Sequence, residues 1–245
     1  MHRLFTPDAG RRGQTVDLPR GEAHQLAHVL RLRRGAPVRV FDGRGREFSA
    51  RVETVGRGEA TVHTLEPHAP AREPAVRLRL ALAILKGRAT DTVIRDATML
   101  GVTAIQPLQT ARSRPAPEGA PAAVERWRAM AVSSAKQCGR AVVPEIAPAA
   151  SFTRFAAAPG AGELRILLVE PALPAPHESI RVLAGRAAPV AATIVVGPEG
   201  GWTDGEVDAA AAAGFMPLTL GARTLRADAA PAAAIAVLQH VWGDL

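Results

Sequence analysis

The chain is poor in residues that cross-link a fold or carry it through a membrane. Cys138 is the single cysteine among 245 residues, which excludes an intrachain disulfide and a multi-cysteine zinc site; no metal is expected. No stretch of about 18 uninterrupted apolar residues occurs, so no membrane span is expected. The N-terminal MHRLFTPDAGRRG lacks the apolar core of an export signal, and a cytoplasmic location is the expectation. No internal repeat is found. Lysine is nearly missing too: Lys86 and Lys136 stand beside 28 arginines, a bias that, with the abundant Ala and Gly, reads as genome composition.

What is present suffices for a core. Hydrophobic residues make up 47% and charged residues 22%, which excludes wholesale disorder. The length suits one large domain or two modest ones at roughly 150 residues each. The formal net charge of +7 suits a polyanionic partner, nucleic acid first.

The first 70 residues read as β. PVRVF (37–41) is a strand, DGRG (42–45) a turn, and EFSARVETV (47–55) and EATVHTL (59–65) alternate between glycine turns, the pattern of a small barrel. One helical stretch, GEAHQLAHVLRL, interrupts them, with Leu26, Val29 and Leu30 expected on one face. This block holds 12 arginines and 8 acidic residues. The proline-rich PHAPAREP (67–74) marks a boundary between domains at 1–70 and 74–245. Beyond it strands and helices alternate: VRLRLALAIL, then ATDTVIRDATMLG, then VTAIQPL, then a helix opened by Pro121. LRILLVE and ATIVVG are continuous apolar runs, as expected of strands covered on both faces. A helix after Thr203 or Asp204, the strand FMPLTL and a closing helix complete an α/β domain with a mostly parallel sheet. The Ala- and Pro-rich 145–163 stretch reads as a surface connection with one short helix.

Two turns carry the chemical signal. In IVVGPEGGWTDGEV (194–207) a buried strand runs into Gly197, Pro198, Glu199, Gly200 and Gly201 just before a helix. Ligands of open α/β sheets bind at such turns, and glycine lets backbone N–H groups approach a ligand closely. No GK[ST] follows, so this is no Walker loop. LTLGARTLRADAA (218–230) makes a second strand-to-helix passage through Gly221 and Leu225-Arg226. Each alone matches an ordinary junction; together they make two walls of one pocket.

GPEGGW (197–202) and LGARTLRADAA (220–230) resemble the C-terminal signature of the RsmE family, the small-subunit (16S) ribosomal RNA uridine N3-methyltransferases of the SPOUT superfamily. The resemblance extends over HQLAHVLRLRRGAPVRVFDGRG (24–45), KGRATDTVIRDATMLGVTAIQPLQTARS (86–113) and RWRAMAVSSAKQCGRAVVPEI (126–146). It implies a PUA-like RNA-binding β-barrel followed by an α/β domain whose C-terminal part forms a deep trefoil knot, in a homodimer whose partner shares the pocket. It implies S-adenosylmethionine between residues 197–201 and 220–226, near Leu168 and Glu170; Gly197, Pro198, Glu199, Gly200, Gly201, Leu220, Gly221, Leu225 and Arg226 are the expected contacts. The middle motif departs from the family pattern: Met99 stands where Glu is usual before Leu-Gly, and Ala89, Thr90 and Thr92 replace the usual Lys-Met surroundings; in the C-terminal signature Ala227-Asp228 replaces a Thr-Glu or Glu-Thr pair.

The implied reaction needs alignment and electrostatics from the protein. Arg112, Arg140 and Arg226 are the candidates for stabilising the uracil anion left by N3 proton loss. Glu199 has two readings, a substrate-positioning residue or base, and a cap for the next helix; no residue stands out as proton acceptor. N3 lies on the pairing edge, so the target is unpaired or flipped out. His24, Arg31, Arg33 and Arg34 are candidates for RNA phosphate contacts, and Gln137 and Arg140 for the RNA or substrate side. Cys138 and Trp127 read as packing residues, and Trp202 as a pocket cover. Two rival readings stay open: a SPOUT RNA methyltransferase with another target, and an RNA-binding protein without turnover. The substrate is small-subunit RNA or the assembled subunit.

Overall fold

The computed structural model describes residues 1–56, 58–113, 122–158, 160 and 162–245, and the backbone of residue 121. Contacts divide the chain into two units, Met1–Glu73 with Val132–Val143, and Pro74–Ala131 with Pro144–Leu245.

The first unit contains β1 (Arg3–Phe5), β2 (Thr15–Asp17), α1 (Arg20–His24), β3 (Pro37–Phe41), β4 (Glu47–Val55) and β5 (Ala60–His68). Alternation builds the sheet: Val38 and Val40 of β3, Ala50 and Val52 of β4 and Val62 of β5 point into one core with Leu4, Val16 and Leu26. The strand order is β1-β3-β4-β5-β2, parallel between β1 and β3 and antiparallel elsewhere. The two edge strands approach each other where the Thr6 hydroxyl donates to the Asp17 carbonyl at 2.9 Å.

The helical stretch departs from expectation. After α1 the backbone continues as a π-helix over Gln25–Val29, whose i→i+5 bonding adds a residue to the turn. Leu26 stays buried and Leu30 packs on the core, while Val29 is rotated out to 66% exposure. Arg31 then adopts φ +53, the one non-glycine residue with positive φ among those described. The Leu32 N–H returns to the Leu26 carbonyl at 3.0 Å, closing the helix as a Schellman-type cap does.

Residues Val132–Val143 join this unit through charge. They include the last turns of α3 (Pro121–Cys138, numbered with the helices of the second unit). The Arg3 guanidinium donates to the carbonyls of Ala135, Lys136, Gly139 and Arg140 at 2.7–3.2 Å and pairs with Glu47 at 2.7 Å. It thereby brings a cation to the carbonyls at and just past the C-terminal end of α3, where positive charge is favoured. The Lys136 ammonium donates to both Glu22 oxygens at 2.8 Å and to Gln25 at 2.6 Å.

The second unit is α/β. Its strands are β6 (Arg77–Ala83), β7 (Ala104–Gln109), β8 (Glu145–Ile146), β9 (Ala150–Ser151), β10 (Leu164–Leu168), β11 (Glu178–Ser179), β12 (Ala191–Val196) and β13 (Met216–Thr219). The order is β11-β13-β10-β12-β6-β7-β8, with β9 also on β7, and every pairing is parallel. Leu80, Leu82, Ile166, Ile194 and Val195 are buried to 1% exposure or less, which explains their unbroken apolar runs. The helices are α2 (Ala89–Met99), the first part of α3, α4 (Phe152–Ala157), α5 (Asp204–Ala212) and α6 (Ala230–Val241). Residues 145–163 are more than a surface connection: they add β8 and β9 to the sheet and bury Phe152.

One connection sets up the site. β13 lies beyond β10, whereas α6 packs on α2, with Gln239 Nε2 donating to the Leu100 carbonyl at 3.0 Å. The segment 220–229 therefore passes over the carboxyl ends of β10 and β12.

Candidate active site

A cavity of about 530 Å3 opens at the carboxyl ends of β6, β10, β12 and β13, where parallel sheets bind ligands. Nine of the eleven residues expected at a cofactor line it: Leu168, Glu170, Gly197, Pro198, Glu199, Gly201, Leu220, Leu225 and Arg226. Gly200 and Gly221 belong to the same two loops. Lys86, Trp202, Arg223 and Asp228 also line the cavity.

The first loop is shaped by what its glycines leave room for. A Cβ on Gly197 would stand 2.9 Å from the Trp202 ring, and one on Gly201 2.9 Å from a Glu170 carboxylate oxygen; Gly201 also holds φ +69. Its N–H closes a turn on the Pro198 carbonyl at 3.0 Å. Trp202 is both cover and core: it lines the cavity, packs on Phe152 at 5.0 Å between ring centroids, and donates from Nε1 to the Leu168 carbonyl at 2.9 Å. One indole thus fixes the end of β10 against the loop after β12.

Charged groups brace the loop from behind. Glu199 accepts the Lys86 N–H at 3.0 Å, tying the β12 loop to the end of β6. It does not cap α5: that role falls to Thr203, which forms a capping box with Glu206. Glu206 also accepts the Ala111 N–H at 2.8 Å. The spacing T-D-G-E carried the local half of this signal, but its bond to the end of β7 had none. The Arg112 guanidinium donates to the Gly200 and Trp202 carbonyls at 2.9 and 3.1 Å, so this candidate catalytic arginine grips the loop backbone.

The second loop carries an exposed ion pair. Arg226 Nε and Nη2 donate to the two Asp228 oxygens at 3.0 and 3.1 Å. The bond to Asp228 raises the Arg226 guanidinium, and the same bond holds the Asp228 carboxyl below its ordinary value.

The remaining candidates lie in the first unit. Arg140 is buried there, with Nε and Nη2 on the Glu73 carboxylate at 2.6–3.1 Å. Gln137 is exposed near the end of α3. His24 is exposed and packs on His28 at 4.7 Å. Arg31, Arg33 and Arg34 are exposed together, Arg34 reaching Glu53 at 3.4 Å. Among the described residues no helix is long and apolar enough to cross a membrane, and no group of three or more His, Cys, Asp or Glu side chains is placed to hold a metal.

A parallel sheet with two glycine-bearing loops at its carboxyl end, in a chain that also carries a small β unit, defines a class. Residues 72–239 match the RNA methyltransferase domain family and residues 18–65 the RNA methyltransferase PUA domain family. More particularly, the chain belongs to the ribosomal RNA small subunit methyltransferase E family. It is 36% identical to the Synechocystis member, over 91% of this chain and 72% of that one, and 31% identical to the Mycobacterium bovis member, over 90% and 86%. The crystal structure of the Neisseria gonorrhoeae enzyme bound to S-adenosyl methionine is similar at a TM-score of 0.89 and 32% identity, covering 100% of this chain and 99% of that one. A Legionella pneumophila methyltransferase structure in complex with SAM is similar at 0.86 and 28%, covering 97% and 96%.

Proposed function

We propose that this chain transfers a methyl group from S-adenosylmethionine to N3 of an unpaired uridine in 16S ribosomal RNA. The observation that carries the reading is the cradle at Gly197 and Gly201, where a side chain would collide with Trp202 and Glu170. The cavity lies within the roughly 300–1,000 Å3 of small-molecule sites. Leu168, Leu220 and Leu225 give it apolar flanks, Glu170 a carboxylate, and the two loops bare backbone. These residues fit S-adenosylmethionine, which the Neisseria and Legionella relatives bind. When bound, it supplies a methyl group activated by a sulfonium.

The chain's own residues align and polarise. With Arg112 gripping the loop and Arg140 paired to Glu73, Arg226 is the one of the three candidate arginines that lines the cavity. Asp228 orients it toward a uracil carbonyl, where positive charge favours loss of the N3 proton. His24, Arg31, Arg33, Arg34 and Gln137 hold the surrounding RNA, with domains at 1–70 and 74–245. The approach of β1 to β2 supports a closed PUA-like barrel, and the passage of 220–229 supports a deep trefoil knot of SPOUT type. A cytoplasmic homodimer rests on the RsmE resemblance.

The test is methylation of small-subunit RNA and of subunits lacking the modification, with labelled S-adenosylmethionine and nucleoside mass spectrometry. The expected product is N3-methyluridine, lost with Arg226→Ala. Another methylated nucleoside contradicts the target; bound cofactor with no transfer to either substrate contradicts the enzyme reading.

A further inference from the structure

We propose that the Lys86 ammonium is a catalytic group of this site, holding the negative charge that develops on a uracil carbonyl oxygen as N3 is methylated. The inference rests on the function proposed above. Its first support is the composition: arginine fills 28 of 30 cationic positions, so the two lysines are the places to ask what an ammonium does that a guanidinium would not. The chain has two. Lys136 is spent on a half-buried cluster, its three donors directed at Glu22 and Gln25. Lys86 stands at the cavity after β6, and its ammonium has no hydrogen-bond or ion-pair partner among the described residues.

Its placement does not depend on its side chain. The Lys86 N–H is held by Glu199 at 3.0 Å, and Glu199 belongs to the loop whose glycines form the cradle. The backbone is thus pinned while the charged end stays available. The other cations lining the cavity, Arg223 and Arg226, come from the second loop, and Arg226 has its fork closed on Asp228, which leaves its outer N–H groups for the uracil carbonyl assigned to it above.

The chemistry explains the preference. A guanidinium presents parallel donors that match two adjacent acceptors, whereas an ammonium is a compact point charge. On a uracil that has lost its N3 proton, a fork would span a carbonyl oxygen and N3 and occupy the lone pair that must attack. An ammonium on the carbonyl oxygen alone leaves N3 open. In the step, the N3–H bond breaks and its proton passes to solvent water. The N3 lone pair forms the new N–C bond as the C–S bond breaks, and that electron pair returns to sulfur. One sulfonium charge is consumed and one proton released.

Lys86→Met and Lys86→Arg in the full-length protein test this, by cofactor dialysis and by single-turnover methylation across pH at saturating cofactor and RNA. Both variants are expected to bind S-adenosylmethionine within twofold of the unaltered chain, because the bond to Glu199 uses the backbone. Lys86→Met should slow transfer about 100-fold near neutral pH, as for loss of one oxyanion donor. The deficit should shrink as pH rises, because N3 then ionises without help. Lys86→Arg should recover only a small part of the rate. A Lys86→Met rate and pH profile equal to the unaltered chain, a loss uniform across pH with weakened cofactor binding, or full recovery by Lys86→Arg overturns the proposal. Absence of N3-methyluridine from the unaltered chain defeats the functional reading instead.

Discussion

The two units divide the molecule's charge very unequally. The first has fifteen basic and nine acidic side chains, the second fifteen and fourteen, so six of the seven net positive charges sit in the first. The second holds the cavity and the two glycine loops. Long-range attraction for a polyanion and the alignment of a small reactive group make opposite demands. On the function proposed above, the first wants exposed cations, such as Arg31, Arg33 and Arg34; the second wants a fixed cradle, in which Arg112, Glu199 and Glu206 hold backbone. Separating them lets each be built without compromising the other.

The largest expected effect would break the cradle and spare the charged unit. Gly197→Ala puts a methyl group 2.9 Å from the Trp202 ring, an overpacking of about 1–3 kcal/mol. It should appear as roughly tenfold or more weaker cofactor binding in calorimetry, with RNA retention unchanged. Trp202→Phe removes the donor to the Leu168 carbonyl and should cost about 1–3 kcal/mol in urea unfolding, the range for a buried acceptor left unpaired.

The opposite test lies in the first unit. Arg31 holds φ +53 where glycine closes most such helix ends. A side chain there costs about 1–2 kcal/mol and glycine returns about 0.5–1 in chain entropy, so Arg31→Gly should stabilise the fold by roughly 0.5–1 kcal/mol. If Arg31 contacts phosphate, the same change reduces the salt slope of RNA binding by about one and leaves cofactor affinity alone. The smallest effect concerns pH. Because Arg226 depresses the Asp228 carboxyl, their pair is present above the ordinary aspartate range and is lost only as pH falls through the depressed value. Cofactor affinity should stay flat into mildly acidic solution; a decline already within the ordinary aspartate range contradicts the role of that pair.

Much of this was legible in the sequence, and unevenly. PVRVF, EFSARVETV and the helix at 121–138 fall where alternation and the proline signal put them, because local periodicity determines local backbone. The first glycine loop announced the pocket because glycine is required where Trp202 and Glu170 crowd the backbone, and the second because Gly221 holds φ +131. What stayed hidden depends on long-range partners. Arg140 reads like any exposed arginine until Glu73 is found beside it, Arg112 until the Gly200 carbonyl is, and nothing in the α3 pattern shows that its last turns answer to Arg3 and Glu22. The π-turn escaped because its apolar spacing mimics an ordinary helix.

Hydrogen exchange of the full-length protein with and without S-adenosylmethionine tests the division of labour most directly. Protection should rise at residues 168–171, 196–202 and 220–230 and stay unchanged through residues 1–73. Protection in the first unit, or none at the two glycine loops at saturating cofactor, would contradict it.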